Sequence, residues 1–147
     1  MYQRILAGLD GSGHGLQAAQ KAIELAKLTG AELHLVTITR PYKVSPDLRR
    51  YLEAENLLGE PKYVMDEMTE AIVKEAEGLA KSAGITKVKA DVREGKPART
   101  LIDYAKSERC DLIVVGSRGI GELEAALLGS VSQKVCMLSS CSVMIVR

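Results

Sequence analysis

The chain contains no tryptophan and no phenylalanine, and its only aromatic side chains are five tyrosines. Stacking platforms for nucleic-acid bases are therefore scarce. Net charge is also nearly absent, since 20 Lys+Arg against 19 Asp+Glu leave +1. That is too little for a protein that holds nucleic acid by neutralising phosphates. The two histidines, His14 and His34, fall on different predicted elements, which argues against a histidine metal site and against a Ser-His-Asp triad. The three cysteines, Cys110, Cys136 and Cys141, are odd in number and form no C-x-x-C pair. They read as reduced thiols of a cytosolic protein. Cys136 and Cys141 are close enough in sequence to suggest a redox pair, but free cysteine is among the most buried residue types, so small buried apolar side chains are the expectation. Long apolar runs are missing too. Stretches such as Leu112 to Val115 fall far short of the roughly 20 residues that cross a bilayer. The opening Met1-Tyr2-Gln3-Arg4-Ile5 shows no secretory signal.

What is present is the pattern of one domain over residues 1–147, with 46% apolar and 27% charged residues. Ile5 to Leu9 reads as a buried strand that stops at Asp10-Gly11-Ser12-Gly13. Residues 15 to 28 carry Leu16, Ala19, Ile23 and Ala26 at helical spacing, with Gly30 as a C-terminal cap. Glu32 to Thr39 is a second strand. Residues 40 to 62 hold Pro41, Pro46, Gly59 and Pro61 and read as a long connection with room for a short helix around Leu48 to Leu58. They suit either a binding loop or a surface insertion. Met65, Met68, Ile72, Ala76, Leu79 and Ala83 then form the core stripe of a helix over 63–83. Val88 to Arg93 is a third strand, Ala98 to Ser107 a helix opened by Pro97, and Leu112 to Val115 a central strand covered on both faces. A helix over Ser130 to Leu138 precedes a last strand, Ser142 to Arg147. Alternation of this kind builds an open, mostly parallel α/β sheet of five strands with helices on both faces.

Ligands of such sheets bind beyond the carboxyl ends of the strands, where strand order reverses. The loops there are Asp10-Gly11-Ser12-Gly13-His14-Gly15 and Gly116-Ser117-Arg118-Gly119-Ile120-Gly121, followed by Gly129-Ser130-Val131-Ser132. Glycine lets backbone approach an anion closely, and Gly129-Ser130 opens a helix whose first N–H groups and dipole favour phosphate. Ser130 and Ser132 offer hydroxyl donors and Arg118 a charge. Asp10 is an acceptor for ribose hydroxyls or for a metal held by phosphate. Leu9 and Val115 close the two strands beside these loops. Each feature also has a plain structural reading: Ser130 as a helix N-cap, Arg118 as a solvated charge, Asp10 as a turn cap.

The joint spacing Gly116-x2-Gly119-x9-Gly129-Ser130 resembles the Gly-x2-Gly-x9-Gly-[Ser/Thr] pattern of the nucleotide-binding branch of the universal stress protein family. The resemblance runs over nearly the whole chain, through Ile5 to Ser12, Gly30 to Leu35, Arg93 to Ala98 and Cys110 to Gly119. It implies a Rossmann-like adenine-nucleotide-binding domain of strand order 3-2-1-4-5, a cytoplasmic homodimer, and an Mg²⁺ or Mn²⁺ ion accompanying ATP. By the same resemblance Asp10 meets the ribose, and Thr37 meets adenine through its backbone. Gly116, Gly119, Gly129, Ser130, Val131 and Ser132 hold the phosphates, while Arg118 occupies a position that varies in type. One departure stands out. Leu138-Ser139-Ser140-Cys141-Ser142-Val143 lacks the His-Ala-Pro-Cys-Pro-Val of the family, which loosens the turn before the last strand. That strand is the expected dimer edge, with a tetramer through a second surface left open.

Rival functions fit less well. A dinucleotide-dependent oxidoreductase needs G-x-G-x-x-G, and Leu16 stands where the third glycine belongs. A phosphoryl-transfer enzyme lacks its G-x-x-x-x-G-K-[ST] and a placed carboxylate base. The reading is thus an ATP-binding regulatory module in the stress response, at most a slow ATPase, with no catalytic residue assigned. It would report nucleotide state to a regulatory protein or transporter through residues 40–62 or its dimer surface. The alternative is a structural dimer of the same fold that binds no nucleotide.

Overall fold

The apolar run after Gln3 cannot stay in water, and it becomes the middle strand of a sheet. In the computed structural model, which describes residues 1–11, 13–40, 46–55, 60–118 and 128–147, the elements follow in the order β1 (Arg4–Leu9), α1 (Gly13–Thr29), β2 (Glu32–Thr39), α2 (Pro46–Ala54), α3 (Glu60–Ser82), β3 (Val88–Glu94), α4 (Pro97–Ser107), β4 (Leu112–Gly116), α5 (Ser130–Leu138) and β5 (Ser142–Val146). The five strands are parallel and ordered β3-β2-β1-β4-β5, as the alternation and the family resemblance imply. The connection over residues 40–62 is more helical than expected, with α2 inside it and α3 beginning at Glu60. Residues 41–45 and 56–59 lie outside the described residues.

Strand alternation sorts the core into two halves. Ile5, Ala7, Leu9, Leu33, Leu35, Leu112 and Val114 face α1 and α3. Leu6, Val36, Ile113 and Val115 face α4 and α5, where Leu101, Tyr104, Ala105 and Val135 meet them. Each large aliphatic side chain so buried contributes roughly 1.5–3 kcal/mol. β1 and β4 read as continuous apolar runs because both their faces are covered.

The helices bury part of the stripes the spacing predicts: Ala19, Ile23, Ala26 and Ala76 are in the core, and the larger side chains Leu16, Met68 and Leu79 are not. On α1 the buried face is Gly15, Ala18, Ala19, Ala22, Ile23 and Ala26, whereas Leu16 is 40% exposed. On α3 it is Thr69, Val73, Ala76 and Ala80, with Ile72 and Ala83 partly covered. Met68 is 60% exposed and Leu79 39%, so neither belongs to the core stripe, and the side chain of Met65 lies outside the described residues. The reason is packing distance. Small side chains let both helices lie close on the sheet, and the bulkier ones are turned to the flanks. Among the cysteines, Cys110 is buried and Cys141 half-buried, but Cys136 is exposed on α5, against the expectation of three buried thiols.

One buried polar group interrupts the second half of the core. His34 is fully buried. Its Nδ1 lies 2.9 Å from the Tyr104 hydroxyl. Its Nε2 is 3.0 Å from Glu32 Oε1, off the line of a proper hydrogen bond. Glu32 also pairs with Lys89 at 3.2 Å and Arg4 at 3.8 Å. Burial pushes the His34 value down, with Glu32 opposing it. Glu32 is itself lowered: burial raises it, but the Lys89 hydrogen bond and the charges of His34, Lys89 and Arg4 together outweigh that. Burial pushes Tyr104 up to about 12. At the other end of the sheet, Gly116 is a glycine for a packing reason. A Cβ there would sit 2.8 Å from the backbone of His14 in the first turn of α1.

Two outcomes are expected. Below the ordinary histidine value of 6.5, the unfolded chain takes up a proton that folded His34 resists, so stability is full above that pH and falls beneath it. It falls further below the ordinary Glu value of 4.5, as the unfolded carboxylate protonates first. Urea unfolding between pH 8 and about 4 checks this, and His34→Gln should flatten the upper part of the curve. Separately, Gly116→Ala should destabilise the ligand-free protein by about 1–3 kcal/mol, because the atom it meets is backbone and cannot rotate away. An unchanged urea midpoint would show that the helix accommodates it.

Candidate functional site

β1 leads to β2 on one side, and β4 leads to β5 on the other, so strand order reverses between β1 and β4. Ala7 pairs with Val114, which brings the ends of these strands, Leu9 and Gly116, to one level. Leu9 and Val115 are buried beneath the cleft, Asp10 and Arg118 are half-buried at its rim, and Gly119 lies outside the described residues.

Ser117 ties the cleft together. It is 2% exposed. Its N–H donates to Val146 O of β5 at 2.7 Å, and its carbonyl accepts the Gly129 N–H at 2.6 Å. The same carbonyl accepts the Ser132 hydroxyl at 3.0 Å. Its own hydroxyl lies 3.4 Å from His14 Nδ1 in α1. Ser117 and His14 were both missed as site residues by sequence reasoning. Ser117 stands in a segment that reads as ligand-binding, and no pattern in it announces that its backbone anchors two other elements.

This anchoring fixes the N-terminus of α5. Gly129 is the N-cap, at φ −70° and ψ 166°, with no side-chain cap. Any residue adopts that conformation, so the backbone does not demand glycine. The usual Ser, Thr, Asp or Asn would place a capping oxygen over the first N–H groups, and here that position is left to something else. Gln133 N–H makes the first full helical bond, to Gly129 O at 3.0 Å. Ser130 is exposed at the first helical position. The Val131 side chain packs into the core, so only its backbone can face a ligand. Ser132 differs from its expected role as a phosphate donor. Its hydroxyl donates to the carbonyls of Ser117 and Gly129, which makes it a residue that positions the helix end.

Thr37 ends up beside Leu9 in the register of β1 and β2. It is 3% exposed, and its hydroxyl has no hydrogen-bond partner among the described residues. A buried polar atom left unpaired costs free energy, and an entering ligand would relieve it. Gly116, by contrast, meets His14 rather than opening a path for phosphate. Among the described residues no group of three or more His, Cys, Asp or Glu comes together to hold a metal. No helix among them is long and apolar enough to cross a membrane.

The segment before β5 lacks the prolines of the pattern it resembles, yet its turn is closed. The Ser139 hydroxyl accepts the Cys141 N–H at 3.2 Å and lies 3.2 Å from the Cys141 carbonyl, a serine turn in place of a proline one.

Comparison with known proteins agrees with this architecture. The universal stress protein family profile matches residues 1–147. Universal stress protein YxiE of Bacillus subtilis is 35% identical over all of both chains. Universal stress protein UspA from Lactobacillus plantarum superposes with a TM-score of 0.78 at 26% identity, covering 99% of this chain and 98% of its own. A universal stress protein crystallised in complex with cAMP superposes with a TM-score of 0.71 at 31% identity, covering 99% of this chain and 97% of its own. The chain belongs to the universal stress protein family.

Proposed function

We propose that this protein binds an adenine nucleotide, ATP foremost, across the cleft between β1 and β4, and acts as a nucleotide-dependent regulatory module in the stress response. One observation carries the reading: the N-cap of α5 is a glycine without a capping side chain, held by Ser117 at the point where strand order reverses. The triphosphate would lie on the amides of the Gly129–Ser132 turn, with Ser130, Arg118 and Gly119 beside it. Asp10 would accept from the ribose and Thr37 would sit against the base, where its orphan hydroxyl supports a polar occupant. Mg²⁺ or Mn²⁺ would be held chiefly by phosphate oxygens, with Asp10 as a candidate carboxylate ligand. The cAMP complex of a structural neighbour supports an adenine ligand for the fold. Slow ATP hydrolysis stays within the proposal as a weak side activity with no general base assigned.

The remaining parts of the proposal concern assembly. β5 is a sheet edge, and an uncovered edge pairs readily, so two copies would join through it as a homodimer. Partners would be a regulatory protein or transporter in the cytoplasm. The rival reading, a structural dimer that binds no nucleotide, draws on Gly116, whose place in the signature is explained by packing alone.

Thermal unfolding with ATP, ADP, AMP, cAMP and NAD separates the two. Adenine nucleotides should raise stability by about 2.7 kcal/mol at a hundredfold excess over Kd. The backbone angles of Gly129 suit valine, and Gly129→Val, its fold confirmed by circular dichroism, should lose the ATP response. A shift with NAD alone, or none at all, overturns the proposal. Thr37→Val should stabilise the ligand-free protein by about 1 kcal/mol, by removing an unpaired buried hydroxyl, and should weaken ATP several-fold in a binding titration.

A further inference from the structure

α4 ends in a Schellman turn. Arg109, at φ 56°, donates its N–H to Lys106 O at 3.2 Å, and Cys110 donates its N–H to Ala105 O at 2.8 Å. That turn swings Cys110 under the last turn of α4. On β5, Val143 and Ile145 face the same half of the core, and by alternation so does Cys141, which packs against the cluster that holds Cys110. The register of β4 and β5, Leu112 opposite Ser142, places Asp111 level with Cys141. Cys110 and Cys141 thus sit in one apolar cluster and line one cleft, the kind of juxtaposition a disulfide, with its Cα atoms about 4.4–6.8 Å apart, requires. The cleft is small, about 20 Å³, with Lys106, Ser139 and Ser140 in its wall. The Ser139 hydroxyl is 3.3 Å from Cys141 Sγ.

We propose that Cys110 and Cys141 form a reversible intramolecular disulfide under peroxide, making this cleft a redox modification site remote from the nucleotide cleft. Cys141, half-buried, reacts first. Its sulfur attacks one oxygen of hydrogen peroxide, the O–O bond breaks, water leaves, and Cys141 becomes a sulfenic acid. The Cys110 sulfur then attacks that sulfur, the S–S bond forms, and the hydroxyl leaves as water with the Cys110 proton. Two thiols and one peroxide thus give one disulfide and two waters. Burial, with the charge of Cys141 next, pushes Cys110 up to about 12, so Cys110 is not the first thiol to react. The ring so closed runs from Asp111 to Ser140 and contains β4, Gly129 and α5. Cys136, the obvious partner of Cys141 by sequence, is exposed outside this cleft.

The test uses Cys136→Ser, a substitution at an exposed site. After peroxide, thiols titrated in denaturant should fall from two to none. A non-reducing tryptic digest should show the peptide Cys110–Arg118 joined to Val135–Arg147. Dithiothreitol should restore both thiols. In Cys110→Ala, Cys141 should persist as a sulfenic acid trapped by dimedone. The proposal is overturned if Cys136→Ser keeps both thiols, if Cys141 advances to a sulfinic acid with Cys110 untouched, if only covalent dimers form, or if the unsubstituted protein joins Cys136 to Cys141.

Discussion

A single carbonyl oxygen organises the business end of this sheet. The oxygen of Ser117 accepts from the amide of Gly129 and from the hydroxyl of Ser132, while the amide of the same residue reaches β5. Removed from water, these groups have no alternative partners, and an unmade bond would cost about 1–3 kcal/mol. The consequence is that the start of α5 is aimed by β4 and braced by β5. A helix end that offers amides to an anion is useful only if it points at a fixed place, and here the pointing is done by main chain, whose geometry no side-chain substitution alters directly.

Much of this was legible beforehand. The apolar runs of β1 and β4 mark buried parallel strands, and the bounds of β2 and α5 read from the sequence are those observed. The helical faces were less legible. Alanine carries a weak apolar signal, and the buried faces of α1 and α3 are largely alanine, so larger residues such as Leu16 and Met68 drew the stripe toward themselves. The reading of the cleft from sequence rests on glycine spacing, and the sequence is opaque where the cleft depends on long-range backbone bonds. Nothing local to Ser132 says that its hydroxyl is spent on carbonyls, and nothing local to Gly116 says that it makes room for His14.

The opposite end of the sheet has a different chemistry. Arg4, Glu32, Lys89 and Glu108 form a chain of ion pairs there, and Asp111 accepts the amides of Gln3 and Arg4. Exposed pairs of this kind contribute little singly, but this chain adjoins a fully buried imidazole. Burial disfavours the charged form of His34, which lies against the Glu32 carboxylate and the Tyr104 hydroxyl, so the polar network reaches into the core at an imidazole that resists taking up a proton.

The alanine face of α1 sets a narrow tolerance. A helix seated largely on methyl groups, with Ile23 as the long side chain in that face, has little between it and the strands to flex when something swells. Enlarging Ala18 or Ala22, both fully covered, would lift the rod as a whole, and its first turn is where His14 abuts Gly116 and Ser117. The middle of that helix therefore acts as a shim under the mouth of the cleft: its thickness, far from any ligand, sets how wide the mouth stands.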